Sequence, residues 1–435
     1  MVYLDFAKAF DKVDHNLVLK KAQAYGINGQ LLGWLQQFLQ NRTQSVIVNG
    51  KVSSPRKVVS GVPQGSVLGP LIFLILIADI DESILHAFLA SFADDTRATK
   101  GIKTEQDAAD LQNDLFSIYQ WSADNNMKFN SLKFELIRYG KNKDLKEHTS
   151  YVAPDWNLIE EKLDVKDLGI TMSNNLSFKT HINNIVESAK RISAWILRTF
   201  RTREKIPMLT LYKSLVRPIL EYCSVLWAPV AKGDIQRLEE IQQSFLRKIH
   251  GVSKDYHTAI KELNLYSLER RRERYMVIQV WKMLEGLVPN LADTDERSIK
   301  LQSNFNTRRG RTCQIPKLAS TPSHLLKAKQ QSVRCFGVKL FNALPKQIRN
   351  ITMVDIDKFK SALDLFLKRV EDKPLLRSAA NNGRHNNSNH LFDTIDSYED
   401  IEQDTAGFES IPHSGDASTV LPRRRTSVRM DISRM

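Results

Sequence analysis

The sequence predicts an α+β protein in which a small antiparallel sheet packed with helices comes first and an all-helical region follows. Short apolar segments separated by turn residues occupy the first part, which is typical of strands in a sheet. Residues 181–281 are mostly helical in pattern and basic. From about residue 371 the chain is rich in Asn, Ser and Asp, which is the composition of a disordered tail.

The net charge of the chain limits its partners. At 435 residues it has room for two or three domains, and its 42% hydrophobic content is ordinary for a globular protein. A formal charge of +14 favours a polyanionic partner. Nucleic acid fits better than a membrane, because no lipid-anchoring motif is present and the longest apolar run, residues 70–80, is too short to span a bilayer.

The termini and cysteines predict an intracellular protein, nuclear and/or cytoplasmic. Charged residues interrupt the first residues, so they do not read as a signal peptide. Cys223, Cys313 and Cys335 are far apart and show no metal-ligand spacing, which favours a reducing compartment and no zinc site. Arg423-Arg424-Arg425 is either a nuclear signal or a chance cluster.

The chain begins on a predicted strand, residues 2–6, with the carboxylate of Asp5 at its end. That aspartate is either a functional acid or a helix cap, which is a common role for Asp. Because the strand has no lead-in, we expect the chain to lack the N-terminal part of a larger protein. Helical patterns follow the strand and extend to about residue 39.

A hairpin and a glycine-rich loop come next. Residues 43–48 and 52–59 are predicted strands joined at Asn49-Gly50, which favours a type I′ turn. Residues 60–70 contain three glycines, two prolines and Gln64, so the backbone there can approach a ligand closely, although an ordinary turn would look similar. A buried helix is predicted over residues 71–80.

The two adjacent carboxylates of Asp94 and Asp95 are the central feature of the sequence. The apolar residues before them predict a strand that enters a tight turn, with both acids at the tip. Two carboxylates that reach one site repel each other unless a cation offsets them, and a divalent metal suits oxygen ligands. The alternative is a pair of solvated turn residues.

Beyond this turn, a helix is predicted over residues 105–125, followed by strands at 127–130 and 134–139 with Lys133 between them. A further strand pair is predicted between residues 158–163 and 167–172.

The helical region contains basic residues interleaved with aromatic ones. A first group is followed by a second at residues 270–274. Such faces are often merely solvated, but the charge of the chain favours contacts with phosphates. The first group includes Arg191, Arg198, Arg201, Arg203, Lys205, Lys213 and Arg217.

Taken together, these segments resemble the reverse transcriptases of non-LTR (LINE-type) retrotransposons. Four motifs stand in the same order along the chain. They are Tyr3-Leu4-Asp5-Phe6-Ala7-Lys8-Ala9-Phe10-Asp11 for motif A, Ser60-Gly61-Val62-Pro63-Gln64-Gly65-Ser66 for motif B, Phe92-Ala93-Asp94-Asp95-Thr96 for motif C, and Phe129-Asn130 with Lys133 for motif D. Segments 167–170, 211–227 and 263–272 also resemble the family, so the likeness covers roughly residues 2–370.

The resemblance implies a right-hand polymerase palm that lacks most of the fingers, followed by an all-α thumb. The palm, with partial fingers and strands like a primer grip, is expected over residues 1–172, and the basic thumb over 173–300. A C-terminal helical extension is expected over 301–370 and the disordered tail over 371–435. The motifs that precede motif A in the family, and the endonuclease domain of many relatives, do not occur in this sequence.

The resemblance also implies roles for individual residues. Asp5, Asp94 and Asp95 would be catalytic and hold two Mg²⁺ ions about 4 Å apart, with Mn²⁺ as an alternative ion. Lys133 would be a catalytic proton donor to pyrophosphate, although an ordinary surface lysine would look the same. The nucleotide pocket would be formed by the Phe6 carbonyl, Phe10, Gln64 and Gly65. Phe10 would exclude a 2′-hydroxyl, or else simply pack in the core.

The resulting hypothesis is an RNA-directed DNA polymerase that acts on an RNA template, a DNA primer and deoxynucleoside triphosphates. The arginines at 191, 198, 201 and 203 and Lys213 would hold the template-primer through its phosphates. Another chain or domain would supply the fingers. The alternative is an inactive remnant of such an element that still binds nucleic acid.

Overall fold

The computed structural model describes residues 1–140, 143–229, 231–289, 299, 301, 311–314, 323–374, 390 and 391. The tail predicted from residue 371 therefore lies mostly outside the described residues. Among the residues that are described, no helix is both long enough and apolar enough to cross a bilayer.

The first part of the chain contains all the named strands. Its elements are β1 (Val2–Leu4), α1 (His15–Ala24), α2 (Gly29–Leu39), β2 (Thr43–Gln44), β3 (Ile47–Val48), β4 (Lys51–Val52), β5 (Arg56–Lys57), α3 (Leu68–Ile77), β6 (Phe88–Phe92), β7 (Asp95–Thr99), α4 (Glu105–Asp124), β8 (Glu135–Leu136), α5 (Lys143–His148), β9 (Glu160–Glu161), β10 (Asp164–Asp167) and β11 (Ile170–Ser173).

The second part is helical. Its elements are α6 (Lys179–Thr199), α7 (Lys205–Leu211), α8 (Arg217–Glu221), α9 (Ser224–Trp227), α10 (Lys232–Leu246), α11 (Tyr256–Glu262), α12 (Leu268–Leu284), α13 (Ser323–Gln331), α14 (Val338–Ala343), α15 (Lys346–Arg349) and α16 (Ile356–Leu367). The mixture of a sheet followed by helices confirms the predicted α+β class in outline.

A five-stranded sheet in the order β6-β7-β1-β8-β9 forms the centre of the first part. Its pairs are antiparallel except β8 and β9, which are parallel. Because side chains alternate along a strand, Val2 and Leu4 are buried in the core while Tyr3 and Asp5 point to the opposite face. Helices α1, α3 and α4 cover the buried face with apolar side chains.

The predicted pairing of residues 158–163 with 167–172 is wrong. Strand β9 instead joins the main sheet beside β8, and β10 pairs with β11 as a separate hairpin. The cause is the two-residue turn at Leu168-Gly169, where φ is +45° and +85°. These values fit a type I′ turn, which closes a hairpin directly between Asp167 and Ile170.

The predicted hairpin at residues 43–59 is confirmed, but it is shorter and more exposed than expected. It divides into the pairs β2–β5 and β3–β4, and Asn49 and Gly50 form the turn at φ +49° and +78°. All eight residues of these four strands are exposed.

Helix α4 agrees with the predicted helix over 105–125 and fixes the chain on both sides of the sheet hairpin. It begins with a capping box in which Thr104 and Asp107 satisfy each other's backbone N–H groups. At its centre Asp114, 2% exposed, accepts hydrogen bonds from the backbone N–H groups of residues 85, 86 and 87 at 3.1, 2.9 and 2.5 Å. Those residues lead into β6, so Asp114 anchors the start of that strand.

The helical part has two apolar cores. One extends from Ile170 to Leu268 and the other from Met276 to Leu391. Helix α12 contributes to both, since Leu268 lies in the first core and Trp281 in the second, where its ring stacks on Phe359 at 4.5 Å. Leu391 is fully buried, and its N–H lies 3.3 Å from Glu273 Oε1, so this residue of the predicted tail is ordered against α12.

Candidate active site

The register of the sheet brings Asp5 next to the acids of the β6–β7 hairpin. Leu4 pairs with Thr96, so Asp5, the next residue, is opposite Asp95. Phe92 pairs with Asp95 across the hairpin, which leaves Ala93 and Asp94 as the turn. Ala93 adopts φ +52°, a left-handed conformation that tight hairpin turns require. The structure therefore brings together three acids that are up to 90 residues apart in the sequence.

The charges of these acids are coupled. The pKa of Asp95 is raised above its usual value, first by partial burial and then by the negative charges of Asp94, Asp5 and Asp167. Arg97 acts in the opposite direction. Asp5 and Asp94 thus lie close enough to Asp95 for their negative charges to disfavour its charged form.

Lys133 is the cation nearest to Asp5. The chain after α4 returns along β1, because Asn130 N donates to Asp5 O at 2.8 Å and a 3₁₀ turn over Ser131–Lys133 follows. This turn places Lys133 Nζ 3.1 Å from Asp5 Oδ2. Asp5 Oδ2 has no exposed surface and accepts no hydrogen bond of good geometry, so the ion pair is its only compensation among the described residues.

The donor set fits a hard divalent cation in its chemistry. Three carboxylates that repel each other, one with a buried oxygen that lacks a hydrogen bond, are the ligands that Mg²⁺ and Mn²⁺ accept. Across the described part of the chain, however, no three Asp, Glu, His or Cys side chains stand in an arrangement that holds a metal ion. The acids share one end of the sheet without forming a closed cage.

A cavity of about 370 Å³ opens beside Asp5 and Asp95. Lys133 and Arg97 also line it, and the β10–β11 hairpin closes one side with Asp167 and its neighbours. Arg97 makes an ion pair with Asp167, which also accepts a hydrogen bond from Tyr3 Oη at 3.3 Å. These contacts fix the hairpin to the sheet.

The two predicted pocket aromatics, Phe6 and Phe10, are packed against other rings. Phe6 is 4% exposed and stacks on Phe129 at 4.4 Å between ring centres. Phe10 is half-buried and stacks on Phe73 of α3 at 4.7 Å. Phe10 therefore packs against the core while part of its surface remains accessible.

The glycine-rich loop lies against the turn that carries Phe10. Gln64 Nε2 donates to Asp11 Oδ1 at 2.9 Å, and Gly65 adopts φ +83°. Neither Gln64 nor Gly65 lines the cavity beside Asp5. Phe10, Gln64 and Gly65, the predicted nucleotide-binding residues, thus belong to one unit with the loop. This unit does not line the cavity beside Asp5.

Comparison with known proteins identifies the first part of the chain. Residues 1–172 match the family model described as "Reverse transcriptase (RNA-dependent DNA polymerase)". This segment is similar to the reverse transcriptase family. The predicted resemblance to enzymes of non-LTR retrotransposons is confirmed by the curated relatives.

Three relatives come from Drosophila melanogaster. The RNA-directed DNA polymerase from mobile element jockey is 30% identical over 57% of this chain, and the probable RNA-directed DNA polymerase from transposon X-element is 30% identical over 58%. The probable RNA-directed DNA polymerase from transposon BS is 28% identical over 63%. The matches span about 28%, 28% and 32% of the length of these relatives.

The predicted basic residues lie outside the matched reverse transcriptase segment, in the helical part. Arg191 and Arg198 on α6, and Arg201 and Lys213 after it, are exposed. Arg203 differs, because its guanidinium donates to the carbonyls of Leu197, Phe200 and Thr202 and so caps the end of α6.

The second basic cluster, residues 270–274, does not form an exposed basic face. Arg270 and Arg272 of α12 are buried, and Arg270 pairs with Glu273 at 3.3 Å. Arg271 forms an ion pair with Glu221, and Arg274 pairs with Asp364 at 2.5 Å. The expected phosphate contacts of residues 270–274 are therefore replaced by ion pairs that join α12 to neighbouring helices.

Several residues that build the candidate site were missed by sequence reasoning. Asp114 anchors the start of β6, and Arg97 with Asp167 fixes the hairpin that covers the cavity. His15 and Arg42 contact the glycine-rich loop. Arg97 could have been found from the sequence, because it alternates with buried neighbours as Tyr3 and Asp5 do. The contacts of Asp114, His15 and Arg42 depend on distant chain segments.

Proposed function

We propose that this chain contributes an RNA-directed DNA polymerase activity that adds deoxynucleotides to a primer 3′-hydroxyl. The observation that carries the proposal is the position of Asp5 opposite Asp95 on adjacent strands, with Asp94 at the hairpin tip. The family of residues 1–172 and the names of the relatives support the same reaction.

In this proposal Asp5, Asp94 and Asp95 hold Mg²⁺, two ions in all, with Mn²⁺ as a substitute. The ions would activate the primer hydroxyl and neutralise the triphosphate. Asp5 is prepared for this role because its Oδ2 has no hydrogen bond that a ligand would have to displace. Lys133, 63% exposed beside Asp5, is free to move and carries the positive charge that would neutralise or protonate pyrophosphate.

The nucleotide would lie against the unit formed by Phe10 and the glycine-rich loop. Phe10 presents part of its ring beside α3, and the Phe6 carbonyl follows directly after Asp5. Gln64 and Gly65 would contact the base and sugar from the loop. We assign Phe10 the exclusion of ribonucleotides, because a ring held by Phe73 cannot move aside easily.

The helical part would act as a thumb that holds an RNA template and a DNA primer. Exposed Arg191, Arg198, Arg201 and Lys213 supply positive charge, whereas Arg203 shapes the end of α6. A separate chain or domain would supply the fingers. Because the proposed substrates are nucleic acids, we place the protein in the nucleus or cytoplasm.

Primer extension tests the proposal directly. Purified chain is incubated with poly(rA)/oligo(dT), dTTP and Mg²⁺, and the products are resolved by length. Extension that requires Mg²⁺ or Mn²⁺ and stops in chelator supports the proposal. Asp81→Asn, which changes an exposed acid outside the site, is the matched control and should extend normally.

A second function is favoured by one observation, namely the exposed basic residues Arg191, Arg198, Arg201 and Lys213 of the helical part. It is a nucleic-acid-binding remnant without polymerase activity. Absent extension together with salt-sensitive binding of the same duplex would establish this second function and overturn the first.

The steric role of Phe10 has its own prediction. Phe10→Ala should let the chain incorporate ribonucleotides, which raises rUTP use relative to dTTP by about 10-fold or more. Phe116→Ala, which removes a partly exposed ring on α4 away from Phe10, is the control. Unchanged discrimination in Phe10→Ala would leave Phe10 with a packing role alone.

A further inference from the structure

The carbonyl of Gly61, at the start of the glycine-rich loop, accepts hydrogen bonds from two distant side chains. His15 Nε2 at the start of α1 lies 2.8 Å from it, and Arg42 Nη2 after α2 lies 3.0 Å from it. Because a carbonyl oxygen only accepts, His15 must donate through Nε2. Gly61 is buried and His15 is 6% exposed, so water does not readily replace these donors.

Backbone contacts join the same loop to the turn that carries Phe10. Gly61 N donates to Val13 O at 2.8 Å, and Val62 N donates to Phe10 O at 2.9 Å. Ser60 Oγ donates to Asp11 O at 2.9 Å. Residues 10–13 and 60–64 therefore form one hydrogen-bonded unit, which we call the loop clamp.

Gly61 is required by the close approach within the loop clamp. Its φ is +84°, and a Cβ at this position would lie 2.9 Å from the backbone of Asp11. The carbonyl of the same residue accepts the hydrogen bonds from His15 and Arg42. Those two side chains therefore hold the loop in addition to its hydrogen bonds with residues 10–13.

We propose that His15 and Arg42 are positioning residues for nucleotide binding, an inference that rests on the polymerase function proposed above. They hold the Gly61 carbonyl, and the loop clamp transmits that position to Phe10 and Gln64. His15 and Arg42 themselves do not touch the nucleotide. The two donors share one acceptor, so each partly replaces the other when one is lost.

The loop clamp predicts a specific kinetic pattern. His15→Leu and Arg42→Met should each raise the KM for dTTP about 3-fold, while the double variant should raise it about 30-fold or more, because only the double variant leaves the buried carbonyl without a donor. kcat should change less than 2-fold, since the acids at the end of β1 and β7 are untouched. His15→Gln and Arg42→Lys keep a donor and should remain near the wild type.

Hydrogen exchange provides a readout that does not depend on activity. Mass spectrometry of the peptide covering residues 58–67 should show about 10-fold faster exchange in the double variant, because a loop that has lost both side-chain donors opens more often and exposes the amides of Gly61 and Val62, which otherwise donate to Val13 O and Phe10 O. His250→Leu and Arg56→Met change exposed residues of the same types and are the controls. Their exchange and KM should match the wild type.

The outcomes separate the two proposals. Wild-type chain that extends no primer overturns the polymerase function, and the exchange rates then decide the loop clamp alone. A double variant that extends primers with unchanged KM overturns the positioning role, as does unchanged exchange of residues 58–67. If His15→Leu fails to fold, His15→Ala takes its place alone and together with Arg42→Met, because it also removes the donor to the Gly61 carbonyl.

Discussion

Two groups of acids in this molecule differ in how fully the protein supplies them with hydrogen bonds. In the helical part, Glu239 is fully buried, yet it accepts hydrogen bonds from the N–H of Glu269 at 2.7 Å and from Tyr256 Oη at 2.6 Å. At the end of the sheet, Asp5 Oδ2 accepts none, and Asp95 faces other carboxylates. Glu239 is satisfied by hydrogen bonds, whereas the acids of the sheet repel each other and Asp5 Oδ2 has only the ion pair with Lys133.

The difference separates a structural role from a functional one. A buried carboxyl group that accepts hydrogen bonds from its neighbours fixes a particular packing of helices, even though burial disfavours its charged form. Arg272 partly offsets the effect of burial on Glu239. A group of acids that repel each other lowers stability, so its arrangement points to a ligand that the protein must bind.

The largest expected effect concerns the acids of the sheet. Asp94→Asn should reduce primer extension by about 10³-fold or more, because the charge that would hold the metal is lost. Binding of the primer-template duplex should stay near normal or become slightly tighter, since a negative charge has been removed. Extension and duplex binding are measured on the same preparation, and equal extension would remove the metal assignment.

Asp114→Asn tests how much stability comes from a buried acid that accepts hydrogen bonds from backbone N–H groups. The free energy of unfolding should fall by about 2–4 kcal/mol, because an amide cannot accept all three N–H groups that lead into β6. Denaturant unfolding provides the measurement. Asp124→Asn, an exposed change on the same helix, should be near neutral. A small loss for Asp114→Asn would mean that β6 does not depend on this anchor.

The pH dependence of stability tests the role of the buried Glu239. Burial raises its pKa to about 7 from the usual 4.5. The folded state therefore holds the proton more tightly than the unfolded state, so stability is greatest below pH 4.5 and declines as the pH rises to about 7, at about 1.4 kcal/mol per unit. Glu239→Gln should flatten this part of the stability curve. An unchanged slope would assign it to other groups.

The smallest expected effects are on duplex binding and thermal stability, in a comparison of an exposed arginine with a buried one. Arg198→Gln should leave thermal stability unchanged and reduce the salt dependence of duplex binding by about one counterion. Arg271→Gln should lower stability instead, because Arg271 pairs with Glu221 inside the helical part. The salt slope and the melting temperature of both variants are measured together. A reversed pattern would contradict the division between exposed and buried basic residues.

The acids of the site could be predicted from the sequence because local patterns place them. The apolar residues before Asp94 and the turn after it indicate a hairpin tip, and Asp5 closes a short strand. The family resemblance then connected these segments in order. The helix over 105–125 also followed from its periodic apolar side chains.

Contacts between distant segments could not be predicted in the same way. Arg191 and Arg271 look alike in the sequence, but Arg271 is drawn inward by Glu221, which is 50 residues away. The partner of residues 158–163 depended on whether Leu168-Gly169 forms a tight turn. His15 and Arg42 gave no signal, because their shared acceptor is a backbone atom of another loop.

The alternation of buried and outward-facing residues along β1 determines which changes in chain length the protein can accept. Its three residues pair with β7 and β8, and the same alternation that buries Val2 and Leu4 directs Asp5 outward. Deleting one residue within β1 would exchange the two faces and bring a carboxylate into the apolar interior. Insertions at the exposed Asn49-Gly50 turn would meet no such barrier, so tags and labels belong there rather than near the first strand.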